Sequence, residues 1–434
     1  MRRAVCQLTF CVLAGAVLLA GCATPSPTAP PSSPSGEADA PQAVGPLPGF
    51  DSWQDVLDQA RGSTVDWYLW GGSAAINEFV DTFYGEVLSE EFDVTLNRVP
   101  VADTVDAVNL VISEAEAGVE SGSVDLIWIN GENFFTLRQG DLLYGPWAES
   151  IPNSVLVDWD DPAVAFDFGV PVEGYESPWA SAQFHFIYDS ARMDADELPR
   201  TYDELDAWIH DNPGRFTYIA PGPGAFQGTR FVKQVLYAVS GGYEQWVGEF
   251  NPALYEEHAP ALWEKLNEWE PDLWRQGETY PATVNELHQL FANGEVDFTI
   301  TQAPAGAGPA ISGGLIPDTA RAFAFDEYLI GDYSYVAIPS NASNKAAALV
   351  LANLILRPDR QAGQILPETG FGLGYAIDLD RVSAEQREVL EASLDELGPA
   401  AADASRLAEA FAPDIAPEYQ SVIEADWEAN VLRE

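Results

Sequence analysis

A chain of 434 residues with 68 acidic and only 20 basic side chains carries a formal charge of −48. That balance excludes nucleic acid and other polyanions as partners, because phosphate binding needs clustered Lys and Arg, and the lysines number three: Lys233, Lys265 and Lys345. The cysteines, Cys6, Cys11 and Cys22, all fall at the N-terminal end, so the rest of the chain has no disulfide, no thiolate metal site and no cysteine nucleophile.

Arg2 and Arg3 give a short basic start, and an apolar run from Ala4 to Ala20 follows, which is the grammar of an export signal. The run is also about as long as a membrane-spanning helix, so an uncleaved anchor is the competing reading. Its ending, Leu19-Ala20-Gly21-Cys22, resembles a bacterial lipobox. That resemblance implies a signal peptide over residues 1–21, lipidation at Cys22, and a protein anchored to the cell membrane on its extracytoplasmic face. Ala23 to Gly49 is crowded with Pro, Ser, Thr and Ala and should be a solvated linker, since it buries too little to offset its ordering entropy. What remains is too long for one typical core and suits two lobes.

From residue 60 onward strands and helices alternate. Thr64 to Trp70 reads as a strand, and Gly71-Gly72-Ser73 turns into a helix with Ile76, Phe79, Val80, Phe83 and Val87 on one face. Phe92 to Val99 alternates like a strand, Asp103 to Ala117 returns to helical spacing, and Val124 to Ile129 is a short buried strand ending in Asn130-Gly131. Thr201-x-x-Glu204, Thr283-x-x-Glu286 and Ser383-x-x-Gln386 fit capping boxes ahead of apolar runs. Asn293-Gly294 reads as a helix stop before a strand at Val296 to Thr301. Further strands are expected at Phe216 to Ala220 and Tyr333 to Ile338, and helices at Lys345 to Leu356, Ser383 to Leu394 and Tyr419 to Leu432. Alternating units of this kind predict an α/β protein with mainly parallel sheets, whose ligands sit beyond the carboxyl ends of strands.

Motifs of catalysis are missing. No lysine follows a glycine, so no phosphate-cradling loop of the Gly-Lys type is present, and Gly-x-Ser-x-Gly does not occur. His185, His210, His258 and His288 lie too far apart for a local zinc pair. Neither a metal nor a cofactor is expected. A pair of carboxylates could still assemble in space as in a glycoside hydrolase, which remains the alternative reading.

Five segments carry a family likeness: Tyr68-Leu-Trp-Gly-Gly-Ser73, Val124-Asp-Leu-Ile-Trp-Ile-Asn-Gly-Glu-Asn133, Ser177-Pro-Trp-Ala-Ser-Ala-Gln-Phe-His-Phe-Ile-Tyr-Asp189, Pro221-Gly-Pro-Gly-Ala-Phe-Gln-Gly-Thr-Arg230 and Tyr335-Val-Ala-Ile-Pro-Ser-Asn-Ala-Ser-Asn-Lys345. Together, in this order and behind a lipobox, they resemble the extracytoplasmic solute-binding proteins of ABC importers. The likeness is to the two-lobed type II architecture and its YnjB-type branch, near the thiamine-, polyamine- and iron-binding branches. The resemblance implies a periplasmic-binding-protein-like fold of two α/β lobes joined by crossing hinge strands. Residues 1–21 would be the signal and 22–50 the lipidated cysteine and linker. Residues 51–182 would start lobe one, 183–330 form lobe two, and 331–434 return to lobe one with the C-terminal helices. It implies a non-enzymatic receptor that closes its lobes on a small polar solute. The partners would be an ABC permease, its ATPase subunits and the membrane, with the receptor itself a monomer. A thiamine- or polyamine-like cation suits the acidic body and the abundant Trp and Tyr; Arg230 and the helix N-termini would equally suit an anion.

Candidate binding residues follow from position. Trp70, Gly71, Gly72 and Ser73 end the first strand and open a helix, which makes either a cleft wall or a tight turn beside a core tryptophan. Asn130, Glu132 and Asn133 lie beyond the third strand and could hydrogen-bond a ligand or cap the next helix, with Glu132 the candidate counter-charge to a cation. Trp179 and Gln183 approach the lobe crossing, where a tryptophan stacks on solute or packs between lobes. Phe226, Gln227, Gly228, Thr229 and Arg230 open another helix behind a glycine-rich approach, and Arg230 either clamps an anion or pairs with surface acid. Tyr333 is a further aromatic candidate near the return strand.

Overall fold

The computed structural model describes residues 42–222, 225–366 and 371–432; the signal segment and Cys22 lie outside them. Eleven strands are found among those residues: β1 Thr64–Trp70, β2 Thr95–Val101, β3 Leu126–Ile129, β4 Phe166–Asp167, β5 Val170–Pro171, β6 Glu176–Gln183, β7 His185–Asp189, β8 Phe298–Thr301, β9 Ala320–Phe323, β10 Leu329–Ala337 and β11 Phe411–Pro413. They form a six-stranded sheet in the order β11-β10-β3-β1-β2 with β6 also on β10, a three-stranded sheet β8-β7-β9, and the isolated hairpin β4-β5.

In β1 the alternation sets the fold. Val65, Trp67 and Leu69 are fully buried on one face, while Asp66 and Tyr68 on the other are half-buried, Tyr68 against the second apolar layer. β1 runs parallel to β2 and β3, so the carboxyl ends of all three point to one edge. β2 starts at Thr95 rather than Phe92, because the helix Gly85–Phe92 runs on and Asp93 closes it with φ 55°. The second sheet is antiparallel on both sides of β7, contrary to the expectation of mainly parallel sheets.

Two stretches cross between the sheets. β6 and β7 are nearly continuous, with β6 in the first sheet and β7 central in the second. β10 holds β11 through Leu329–Gly331 and β3 through Tyr335–Ala337. Gln183 ends β6 and Tyr333 lies within β10. The segment Phe216 to Ala220 is extended and mostly buried but joins no ladder. Its carbonyls and amides pair with loops instead, Trp274 N–H donating to Phe216 O at 2.7 Å and Ala220 N–H to Pro281 O at 3.0 Å.

Each sheet has its own apolar body. Trp67, Tyr84, Trp147 and Trp179 cover one face of the first sheet, and Val111, Phe134, Leu137 and Tyr335 the other. Phe184, Phe186, Phe231, Trp269 and Phe298 fill the second. Helices Lys345–Ile355 and Ala384–Asp395 pack into the first body. The C-terminal helix Pro417–Asn430 does not, which corrects the expectation for residues 331–434. Its stripe Tyr419, Ile423, Trp427 enters the second body, where Trp427 meets Tyr280 at 5.2 Å and Tyr419 meets Trp246 at 5.5 Å. Residues 44–50 are a second correction, being folded rather than linker. Leu47 is buried in the first body, Val44 N–H donates to Ser150 O at 2.9 Å, and Tyr144 Oη donates to Pro48 O.

The three helix-start motifs differ in detail. Thr201, Thr283 and Ser383 each accept the N3 amide. Only Ser383-Gln386 forms the reciprocal box, whereas Glu204 and Glu286 reach one residue further back, to the amides of Arg200 and Ala282.

Candidate functional site

At the carboxyl edge of the first sheet, register Tyr68↔Ile127 brings Trp70 and Asn130 to neighbouring strand ends. Trp70 is 40% exposed. A Cβ on Gly72 would overlap the Trp70 indole, so Gly72 lets the ring lie back over its own turn, and a Cβ on Gly71 would overlap Pro100, so Gly71 lets the turn pass close to β2. Ser73 is a helix cap, its Oγ accepting the Ile76 amide at 3.3 Å. Asn130 does not cap the next helix. Its Nδ2 donates to Tyr333 O at 2.6 Å and ties β3 to the crossing strand β10. Gly131 takes φ 52° and gives its N–H to Asp167, with the Phe168 ring where a Cβ would stand. Glu132 is exposed in the first turn of helix Gly131–Gln139, Asn133 is half-buried beside it, and Tyr333 is half-buried on β10.

The opposite face is the helix Phe226–Ser240. Phe226 meets Phe168 edge-on at 5.5 Å and lies 4.2 Å from the Arg230 guanidinium. Gly228 is compulsory, since a Cβ there would collide with Ile219 O and Ala220 O. Gln227 points into the second core, lining an enclosed apolar gap of about 10 Å³ with Phe216 and Phe231. That gap has room for no more than one water molecule, so it is no solute pocket. Thr229 Oγ1 donates to Glu424 at 2.8 Å on the C-terminal helix.

Arg230 corrects an expectation. Its side chain is wholly buried, and its terminal nitrogens serve Gln302, Asp332 and Asp414. It is a strut under the seam between the lobes, with no donor turned to an incoming anion. Burial alone would lower its pKa, and the charges of Asp332 and Asp414 more than reverse that. Lys233, one turn on, gives Nζ to Asp414 at 2.7 Å. Burial raises the Asp332 carboxyl even so, against the pull of Arg230.

Trp179 is the second correction. It is fully buried, stacked with Phe371 at 4.8 Å and packed on Trp67 and Trp128, with its N–H donated to Tyr84 Oη at 3.3 Å. That is core, not cleft wall. Gln183 is a tie at the crossing, Nε2 donating to Leu407 O at 2.6 Å and Leu329 O at 3.2 Å. The structure thus gathers Asn130, Gly131, Phe226, Arg230 and Tyr333 around Phe168 and β10, and leaves Trp179 and Gln227 out. Sequence reasoning missed Asp167, Phe168, Lys233, Asp332, Asp414 and Glu424. The available signals were an acid inside the otherwise apolar run Leu329-Ile330-Gly331-Asp332-Tyr333, and a rare lysine on a helix buried from Gly228 to Tyr237.

The model of the family described as bacterial extracellular solute-binding protein matches residues 74–372. Protein YnjB of Escherichia coli K12 is 37% identical over 344 residues, 79% of this chain and 87% of that protein. The chain belongs to the bacterial extracellular solute-binding proteins. Among solved structures, the spermidine/putrescine ABC transporter substrate-binding protein PotD of Streptococcus pneumoniae has the same fold, at TM-score 0.57, 14% identity, and coverage of 84% of this chain and 97% of that one. So does the TpPotD lipoprotein of Treponema pallidum, at TM-score 0.58, 16% identity, and 85% and 100% coverage. As a member of this family the chain captures a solute outside the cytoplasm, on a two-lobed type II scaffold. Among the described residues no helix is long and apolar enough to cross a membrane.

Proposed function

We propose that this chain is the lipid-anchored receptor of an ABC importer and that its solute is a small polar cation of the thiamine or polyamine kind. Lobe one would comprise residues 51–182 with the return from 331, and lobe two residues 183–330 with the C-terminal helix. Capture would take place in the seam by lobe closure, followed by delivery to the permease and its ATPase subunits. The receptor works as a monomer, held by Cys22 after removal of residues 1–21.

One observation carries the cationic reading. Glu132 is exposed in the first turn of a helix of the first body, and Glu424, on a helix of the second, is held by Thr229 at 2.8 Å; the Glu132 charge acts on Glu424 to disfavour its ionised form. Burial and, less strongly, the Glu132 charge raise the Glu424 carboxyl, partly offset by the Thr229 hydroxyl, the Lys233 charge and Gln420. Arg230 and Lys233 are paired with Asp332 and Asp414, and the Lys233 charge offsets only part of the rise at Glu424. An ammonium or thiazolium group between the two glutamates would relieve their repulsion, and the exposed Trp70 offers a ring face for it.

Mass spectrometry of small molecules released from the purified chain should give one polar cation. X-ray scattering should show compaction on adding thiamine or spermidine. Release of an anion would overturn the cationic reading. Turnover of a sugar panel would overturn the receptor reading in favour of a carboxylate-pair hydrolase. Cys22→Ala should move the protein from the membrane fraction to the soluble one.

A further inference from the structure

The hairpin β4-β5 belongs to neither sheet and stands between the two candidate faces. Its tip, Phe168 with φ 48°, packs against Gly131 on one side and against Phe226 and Lys233 on the other, the lysine Nζ lying 5.3 Å from the ring. A Cβ on Gly169 would stand at ordinary contact distance from Ala416 N, 3.7 Å, and Gly248 O, 3.9 Å, so the tip also lies beside the second body. The hairpin therefore spans the seam, touching the start of helix Gly131–Gln139, the helix Phe226–Ser240 and the segment after β11.

Behind the tip lie two carboxyl groups with almost no compensation. Asp167 is 1% exposed and Glu176 is fully buried. One Asp167 oxygen accepts Gly131 N–H; the other, and both oxygens of Glu176, have no hydrogen-bond partner. Asp167 faces the like charges of Asp332 and Asp414 and the opposite charge of Arg230. Glu176, on β6, feels the like charge of Asp167 and the opposite charge of Arg138, and the charges of Asp167 and Glu176 both raise the Tyr335 hydroxyl of β10. Neither cation makes an ion pair with these carboxyls. Arg230 is divided between Asp332, Asp414 and Gln302, and Arg138 pairs with Glu173 at 2.8 Å. A buried carboxylate in that position takes up a proton rather than stay charged.

We propose that a proton resident on Glu176 lets Asp167 hold Gly131 and so latches the hairpin across the seam, and that its loss as pH rises unlatches it. Glu176 is the seat because no N–H reaches it, whereas the Gly131 amide and Arg230 favour charge on Asp167. Burial drives both carboxyls well above the ordinary range, consistent with that occupancy. Deprotonation gives up one proton to solvent and leaves two neighbouring buried anions. Their repulsion is relieved by moving Asp167, and with it Phe168, away from β6. The latch acts on opening of the seam whatever the solute.

Hydrogen exchange on the full, solute-free chain tests this, read at the Gly131 amide as a protection factor between pH 6 and pH 9. The wild-type factor should fall by up to about tenfold per pH unit once Glu176 titrates. Glu176→Gln, which carries N–H donors and no titratable proton, should stay flat, and Phe168→Ala should be weakly protected throughout. A pH-independent wild-type factor, or the same fall in Glu176→Gln, would overturn the latch. A measurement needing no variant is the infrared carbonyl band of a buried protonated carboxyl. It should be present at neutral pH and disappear on alkalinisation, and its absence at neutral pH would equally overturn the proposal.

Discussion

The turn at Trp70–Ser73 and the helix start at Phe226–Arg230 share one sequence pattern, an aromatic and glycine beside a helix N-terminus, yet they spend it in opposite ways. At Trp70 the glycines let a 40% exposed indole fold over the surface. At Gly228 the missing side chain lets a helix press on a backbone carbonyl, and the polar groups that follow are buried and paired. The two tryptophans weighed for the cleft divide in the same way, Trp70 outside and Trp179 enclosed by Trp67, Trp128 and Phe371. Partner and exposure, not residue type, separate an aromatic open to solvent from one that bears load.

The largest effect expected from this contrast is at Arg230. Arg230→Met leaves Asp332 and Asp414 buried with one cation fewer, and removing one partner of a buried pair costs about 3–5 kcal/mol. Urea denaturation should show that loss, and Asp332→Asn in the same chain should recover part of it, because the two residues are directly bonded. A loss under about 1 kcal/mol would place the guanidinium at the surface and erase the contrast.

The two bodies should also answer pH with opposite signs. His185 and His288, both in the second body, are pushed down to about 4 by burial. A neutral ring held below its ordinary 6.5 contributes stability fully above pH 6.5 and loses it as pH falls toward 4. Each histidine is worth at most about 3 kcal/mol over that window. Asp167 and Glu176, on the first body's side, are raised, so their contribution is greatest in acid and is lost as pH climbs. His288→Gln, which can keep a hydrogen bond to Thr299, should flatten the acid limb of a urea-midpoint profile between pH 7 and pH 4. An unchanged acid limb would mean that His288 is not buried neutral.

How much of this was legible follows from what each feature depends on. β1, β3 and β10 were visible because short apolar, β-branched and aromatic runs are local signals, and the helix caps because Thr201, Thr283 and Ser383 act three residues away. The roles of Arg230 were not, since its partners Asp332 and Asp414 are 102 and 184 residues distant. The C-terminal helix shows the same limit. Tyr419, Ile423 and Trp427 announce an apolar stripe, but only the tertiary fold says which body receives it. Phe216 to Ala220 has the composition of a strand and lacks only a neighbouring strand to pair with.

Glycine substitutions probe the contrast at intermediate size. Gly228→Ala drives a methyl into two backbone carbonyls, which side-chain rotation does not relieve, and should cost about 1–3 kcal/mol by urea denaturation. Gly72→Ala meets only the Trp70 ring, which can swing toward solvent. It should cost less and instead red-shift the tryptophan fluorescence. Equal costs would mean that both turns are equally packed.

The smallest stability effect and the sharpest functional one should coincide at Trp70. Removing a partly exposed ring at the end of β1 forfeits little burial, so Trp70→Ala should change stability by no more than about 0.5–1 kcal/mol. Loss of a cation–π contact of about 1 kcal/mol should nevertheless weaken spermidine or thiamine binding roughly fivefold to tenfold by calorimetry. Trp179→Ala should do the reverse, unfolding the chain at lower urea, because its indole supports Trp67, Trp128 and Phe371 together. If Trp70→Ala bound as wild type while remaining folded, the outer face would be a turn and nothing more, and the binding surface would have to be sought on the Glu132 side of the seam alone.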